Sequence, residues 1–414
     1  MLKRDLKMRI LGLSAVEKLR AKQQSRLTAI KAENANSKLF YLRINGRKRK
    51  NFIQSLHTDR GMVTDHKEKE QHIHDHFSKQ FGAPVQRQFT LDWEALAIHR
   101  HDLSVLEEDF TEDEVHNVVR DIASDKAPGP DGYIGAFFKA SWQVKKFDLM
   151  AVINYFCSQH DRHFKQLNSA HMILIPKKMD ALSLADYRPI SLTHSVAKLV
   201  SKLLANRLAP YLNQIVSRAQ SAFIKKRSIH DNFLYTQNMI RELTRAKIPA
   251  LFLKLDIAKA FDTVRWDYLL ELLSAMGFGA RWCSWISILL STASTSVFLN
   301  GSRGKWFKYH TGLRQGDPLS PLLFILAMEP LQLLIQKAVT DGGLQNMNVR
   351  NARLRLSLYA DDAAMFLKPT REEVTKVQEI LAAFGTASGL VVNTAKSAVY
   401  PICCGDIDLN EVLE

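Results

Sequence analysis

Cysteine is scarce in this chain, four in 414 residues. Cys157, Cys283, Cys403 and Cys404 fall at spacings that suit neither a metal site nor a framework of paired bridges. A disulfide-stapled secreted scaffold is therefore excluded, and a reducing, intracellular compartment is expected, nucleus or cytoplasm alike. The opening MLKRDLKMRI has charge with no apolar core behind it, which excludes a secretory signal. No apolar run is expected to be long enough to span a bilayer, so no membrane partner is expected either. Internal repeats and low-complexity tracts are absent. The run KAPGPDG (126–132) holds two prolines and two glycines, yet lacks the glycine spacing and the Lys-Ser/Thr ending of a phosphate-binding loop.

What is present begins with charge. The net is +15, and residues 1–50 hold 15 Lys/Arg against 3 Asp/Glu, which leaves only +3 for the remainder. A basic opening segment points to a polyanion, nucleic acid before a membrane surface. Apolar content of 46% suits a globular chain with a substantial core. Residues 1–35 have the composition of an exposed helix. RINGRKRKNFIQSL (43–56) reads as a basic hairpin turning at Asn45-Gly46 and carrying Arg47, Lys48, Arg49 and Lys50. HKEKEQHIHDHF (66–77) is helical; its His72 and His76 stand four apart, as zinc ligands can, but a solvated helix face explains them without a third ligand. Residues 84–110 read as a linker.

From Thr111 the texture changes. TEDEVHNVVRDI opens with a capping box, Thr111 and Glu114. HMILIPKK (171–178) is a strand, SVAKLVSKLLANRL (195–208) an amphipathic helix, ALFLKLD (250–256) a strand, and WDYLLELLSAMG (266–277) a helix closed by Gly277. PLSPLLFILAMEPLQLLIQKAV (318–339) reads as a long apolar helix with Asp317 as N-cap, Pro318 first and a kink at Pro330. RLRLSLY (353–359) is a strand. Mixed α+β with antiparallel hairpins fits this alternation better than a doubly wound sheet.

Strand alternation puts Leu251, Leu253 and Leu255 on one face and Asp256 at the strand's end on the other. The same logic puts Asp361 of LYADD at a hairpin tip, although Asp-rich turns also occur for their backbone geometry alone. Carboxylates brought together from separate strands repel unless a cation lies between them. Mg²⁺ suits that place, since it takes one or two carboxylates and completes its shell with water and phosphate. Two such ions about 3.5–4 Å apart can activate a 3′-hydroxyl and stabilise a pyrophosphate leaving group.

With these pieces in order, the chain resembles the reverse transcriptases of non-LTR (LINE-type) retrotransposons, the plant versions above all. KAPGPDG, LIPKK, YRPISL, QSAFIKKRSIHDN, KLDIAKAFDTVRWDYL, GLRQGDPLSPLLF, LYADD and SGLVVNTAKS match the family's successive motifs over about 126–398. The resemblance implies a right-hand polymerase palm with fingers, two Mg²⁺ ions with Mn²⁺ as a substitute, and dNTPs, a DNA primer and an RNA template as partners. It implies metal binding by Asp256 and Asp361, with the Ile257 carbonyl as a further ligand; Asp362 matches the second tip aspartate or simply holds the turn. Phe261 matches the aromatic under the incoming sugar, a plain core aromatic being the rival. Gln315 and Gly316 match the loop against the nascent base pair, and Arg188 the grip on the triphosphate, with Lys177 or Lys178 assisting. Lys396 resembles the proton donor to pyrophosphate, with a surface lysine as the rival. Gln220, Phe223 and Arg227 match a segment that tracks the template backbone.

The expected organisation is a basic helical and linker region over 1–110, fingers and the start of the palm over 111–250, the palm over 251–400 and a truncated tail over 401–414. SKLFYLRINGRKRKNFIQSL resembles, in degraded form, the family's join between endonuclease and polymerase. No endonuclease is expected before it, and the thumb and Cys/His knuckle are expected to be missing after Asp362. A catalytically inactive nucleic-acid-binding relic is the competing expectation. An RNA-splicing maturase shares the palm, but its appended domain is not visible.

Overall fold

A computed structural model describes residues 2–24, 51–59, 61–82, 87, 89–158, 161–347, 349 and 354–413. Arg47, Lys48, Arg49 and Lys50, with the first part of their hairpin, lie outside the described residues. A helix spans Leu2–Gln24.

Two four-stranded sheets organise the rest. The first has the order β4-β3-β6-β7, from strands β3 (Ser169–Pro176), β4 (Tyr187–Thr193), β6 (Ser294–Leu299) and β7 (Ser302–Lys308). Its β3–β4 and β6–β7 pairs are antiparallel, and β3–β6 is parallel. The second has the order β10-β5-β9-β8, from β5 (Ala250–Asp256), β8 (Leu356–Tyr359), β9 (Asp362–Leu367) and β10 (Ala398–Ile402), all antiparallel. A short hairpin, β1 (Leu56–Thr58) with β2 (Gly61–Val63), precedes both. The hairpin 294–308 therefore completes the sheet of β3 and β4, and the expected division near 250 is not a boundary between sheets.

The main core surrounds the helix Ser320–Thr340, where Phe324, Ile325, Leu326 and Met328 meet Tyr268, Trp282 and Trp285. This helix is long and apolar enough to cross a membrane by length and composition, against the sequence expectation, but 72% of its apolar window is buried inside the protein. Apolar on all sides, it is the kind of helix that a large core encloses. It starts at Ser320 rather than Pro318, and the Asp317 carboxylate accepts from the Leu319 and Ser320 amides just ahead of it. It runs through Pro330 without interruption.

A second core joins Ile53, Leu56, Ile73, Phe77 and Phe81 to Met172, Leu174, Val297, Phe307 and Tyr309. It forms because the helix His66–Gly82 buries Ile73, Phe77 and Phe81, spaced four apart, against β6 and β7. Asn300 fastens the approach, its amide accepting from the Ile53 N–H and donating to the Ile53 carbonyl, both at 2.9 Å. Buried Lys69 donates to the Ile53 and Gln54 carbonyls. The stretch read as a linker is packed as well: Leu91, Leu96, Leu103, Leu106 and Phe110 are buried in the main core. Its apolar residues follow neither a helical nor a strand period, so pattern alone missed it.

Candidate active site

Strands β8 and β9 meet at a two-residue tip. Tyr359 pairs with Asp362, which leaves Ala360 and Asp361 as the turn. Ala360 adopts a left-handed φ of +54°, which costs a residue bearing a Cβ roughly 1–2 kcal/mol. Gln220 holds it there. The buried Gln220 side chain accepts the Ala360 N–H (2.9 Å) and donates to the Ala360 carbonyl (3.3 Å). The register then sets Asp362 directly opposite Asp256 on β5.

Three carboxylates thus gather at one end of one sheet. Burial pushes the Asp361 carboxyl up from its ordinary value, and the charges of Asp362 and Asp256 push the same way, against the pull of its own backbone N–H. Asn393 donates to Asp256 Oδ2 (3.2 Å), and Lys396 Nζ stands 4.0 Å from the same oxygen. The Ser397 hydroxyl accepts the Asp256 N–H (3.1 Å). Ile257 forms an isolated bridge with Val392 whose two hydrogen bonds are made by the flanking Asp256 carbonyl and Ala258 N–H, so the bridge does not consume the Ile257 carbonyl.

These residues fit a hard divalent cation. No other described residue donates a hydrogen bond to the Asp361 or Asp362 carboxylates, and like charges held this way call for positive charge between them. No group of three or more His, Cys, Asp or Glu side chains among the described residues forms a ready cage. Mg²⁺ needs none, since it binds through one or two carboxylates and completes its shell with water and substrate phosphate.

Next to the acids lies a second, buried corner. Phe261 is half-buried and stacks on Phe324, ring centroids 4.4 Å apart. Its carbonyl accepts the Leu313 N–H, and the Gly312 N–H donates to Val264, so 261–264 and 312–313 run side by side. Asp262 between them is buried, 6% exposed, and its carboxylate accepts from Gln315 Nε2 (2.9 Å) and Gln80 Nε2 (3.0 Å). Burial pushes its pKa up to about 6, and those hydrogen bonds with Lys259 and Lys177 pull it back. The Gln315 carbonyl accepts the Ser191 N–H (2.8 Å). Gly316 has φ +102°, and a Cβ there would meet the Ser191 carbonyl oxygen at 3.0 Å. Only glycine lets this loop lie so close to β4.

Arg188 is exposed on β4, paired with Ile175 of β3. Lys177, just past β3, donates to the Ala185 carbonyl (2.8 Å). Burial holds its pKa down, as do the positive charges of Lys396 and Arg188. The first sheet therefore brings Lys177 and Arg188 toward the same space as Lys396, opposite the acids.

The segment expected to track the template divides. Phe223 is 51% exposed with φ +60°. Gln220 is wholly buried under the tip, and Arg227 gives its guanidinium to the carbonyls of Gln220 (2.7 Å) and Val216 (2.9 Å). Those two side chains are committed to the protein's own backbone, which corrects their assignment as template contacts: they brace the tip. Asp262, Gln80 and Asn393 escaped the sequence analysis. Asp262 and Asn393 lie inside KLDIAKAFDTVRWDYL and SGLVVNTAKS, where position in a motif was the available signal. Nothing local marks Gln80.

A model of the family described as reverse transcriptase (RNA-dependent DNA polymerase) matches residues 175–402, more than half of the chain. The "Transposon TX1 uncharacterized 149 kDa protein" of Xenopus laevis is 30% identical over 293 residues, covering 71% of this chain and 22% of that protein. The "Retrovirus-related Pol polyprotein from type-1 retrotransposable element R2" of Nasonia vitripennis is 28% identical over 270 residues, 63% of this chain and 25% of its own. The "Retrovirus-related Pol polyprotein from type-2 retrotransposable element R2DM" of Drosophila melanogaster is 25% identical over 277 residues, 66% and 25%. The chain spans about a quarter of the length of these relatives. It belongs to the reverse transcriptase (RNA-dependent DNA polymerase) family, in the non-LTR retrotransposon branch.

Proposed function

We propose that this chain is the RNA-directed DNA polymerase of a LINE-type element, adding dNTPs to the 3′-hydroxyl of a DNA primer on an RNA template. The observation that carries it is the register Asp256 opposite Asp362 with Asp361 at the tip between their strands. The family uses divalent metal ions. Asp256 and Asp361, with Asp362 beside them and the Ile257 carbonyl as a further oxygen, would hold a pair of Mg²⁺ ions, or Mn²⁺ in their place, which would supply the positive charge for activating the 3′-hydroxyl and steadying the departing pyrophosphate. The protein's own groups do the rest. Arg188 and Lys177 grip the triphosphate. Lys396, beside Asp256, delivers a proton to the leaving pyrophosphate. The half-buried Phe261 ring lies under the sugar and takes the room of a 2′-hydroxyl. Gln315 and Gly316 pack against the nascent pair, and exposed Phe223 offers a face on which a template base stacks.

Extension of oligo(dT) on poly(rA) with Mg²⁺ tests this, the unaltered chain against Asp361→Asn. Extension by the former alone is expected. Hybrid binding without extension by either protein would favour an inactive relic instead.

A further inference from the structure

One set of bonds at the site comes from a part of the chain outside residues 175–402. The helix His66–Gly82 is fixed by its apolar face, Ile73, Phe77 and Phe81, in the second core. At its last turn the Phe81 carbonyl accepts the His310 N–H (2.6 Å), which anchors the helix end close to the loop that carries Gln315. One residue earlier, Gln80 turns its amide into the buried corner. Its Nε2 donates to Asp262 Oδ2 (3.0 Å), and its Oε1 accepts from Lys259 Nζ (2.7 Å). The lysine decides which end of the amide faces the carboxylate, since an ammonium only donates. The other oxygen of Asp262 accepts from Gln315 Nε2. Four side chains thus stand in one line: Lys259, Gln80, Asp262, Gln315.

A buried carboxylate keeps its place only while donors satisfy it, and in a low dielectric a missing donor is costly. Without Gln80 one carboxylate oxygen loses its donor, and the group that orients Gln315 is free to turn. We infer that Gln80 is a positioning residue of the incoming-nucleotide site, that the helix His66–Gly82 belongs to that site, and that the ligand it governs is a deoxynucleoside triphosphate. This rests on the proposed polymerase function. A mere staple between helix and sheet would use the same bonds, but nucleotide affinity would then be indifferent to Gln80.

The experiment uses the full chain with a dideoxy-terminated DNA primer on an RNA template, Mg²⁺, and a titration of the next correct dNTP followed by mobility shift. Gln80→Ala is expected to raise the Kd for that dNTP about five- to tenfold, the scale of one ordinary hydrogen bond, with primer–template affinity unchanged. In a Gln315→Ala background the same substitution should cost less than about twofold, because the line is already cut. Gln80→Glu, a second carboxylate against Asp262, should exceed Gln80→Ala. An unchanged nucleotide Kd, or an equal factor in both backgrounds, overturns the inference. Should Gln80→Ala fail to fold, Lys259→Met keeps Gln80 and frees its amide to turn; about a twofold rise in Kd is expected there, and none would overturn the inference.

A terminated primer undergoes no chemistry, so the two readings separate. Nucleotide binding through Gln80 without extension on an ordinary primer would sink the polymerase function and keep this inference. Extension with Gln80-independent affinity does the reverse, and no nucleotide-dependent complex from the unaltered chain overturns both.

Discussion

Two kinds of acid meet in this protein. At the tip of the second sheet, Asp361 and Asp362 receive no hydrogen bond from any other described residue, and Asp256 has one amide and a lysine at 4.0 Å. In the interior, Asp262 is met by two glutamine amides, and Glu329 by the Ser217 N–H (3.0 Å) and hydroxyl (3.1 Å). The first group is crowded and unfinished; the second is solitary and complete. A carboxylate whose oxygens are all engaged by the protein has nothing left for a cation and serves as a brace. Three whose charges press on one another are available for one. The number of donors per carboxylate, more than burial, separates chemistry from scaffolding.

The sharpest way to break this contrast is to remove the unfinished acids. Asp256→Ala and Asp361→Ala should each lower nucleotide addition by about 4 kcal/mol or more, roughly a thousandfold, while far-UV circular dichroism stays unchanged. Near-normal incorporation by either variant would mean the tip holds no catalytic metal.

A finished acid should register in stability and its pH dependence instead. Burial pushes Glu329 up to about 7, with the Ser217 hydrogen bonds and Arg227 pulling the other way. Its folded pKa stands above the unfolded value, so the folded state binds the extra proton. That contribution to stability is complete below about pH 4.5 and is lost as pH rises to about 7. His99 and His101 line the same cavity as Glu329 and Ser217, and burial lowers the His101 pKa, so the informative quantity is the difference between two proteins. Glu329→Gln does not titrate. In urea unfolding at pH 4.5 and pH 8, the unaltered chain should lose about 3 kcal/mol more than the variant. Equal losses would place Glu329 in contact with solvent.

The smallest expected effect falls on the ring between the two groups. Phe261→Val should open the space of a 2′-hydroxyl and lower the ratio of kcat/KM for dGTP over GTP by about 10- to 100-fold, roughly 1–3 kcal/mol. An unaltered ratio would return Phe261 to the core as a partner of Phe324 and nothing more.

What could be read in advance follows the range of each interaction. The strand Ala250–Asp256 and the helix Ser195–Leu208 match their sequence boundaries residue for residue, because their periodicity is local. The tip at Asp361 followed from strand alternation, but the length of its turn did not. Gln80 and Asp262 are 182 positions apart, and no period reaches that far. Gln220 misled for another reason: the resemblance set it in a segment that tracks the template, yet this amide is buried because a strained turn needs a donor and an acceptor at one point. Gly389 was visible within SGLVV, but not its reason. Its φ is +82° and a Cβ would lie 2.1 Å from the Thr263 carbonyl oxygen, a contact known only once both segments are in place.

The second core draws a border of its own. The stretch matched by the family model starts at residue 175, inside β3, whose strand runs Ser169–Pro176. A chain begun there would enter the sheet through only the last two residues of a strand, lose Met172 and Leu174, and lay Phe307 and Tyr309 open to water where Phe77 and Phe81 now cover them. Family match and packing thus divide the chain at different points. The matched stretch is the shorter, and the second core ties Ile53, Leu56, Ile73, Phe77 and Phe81 to it.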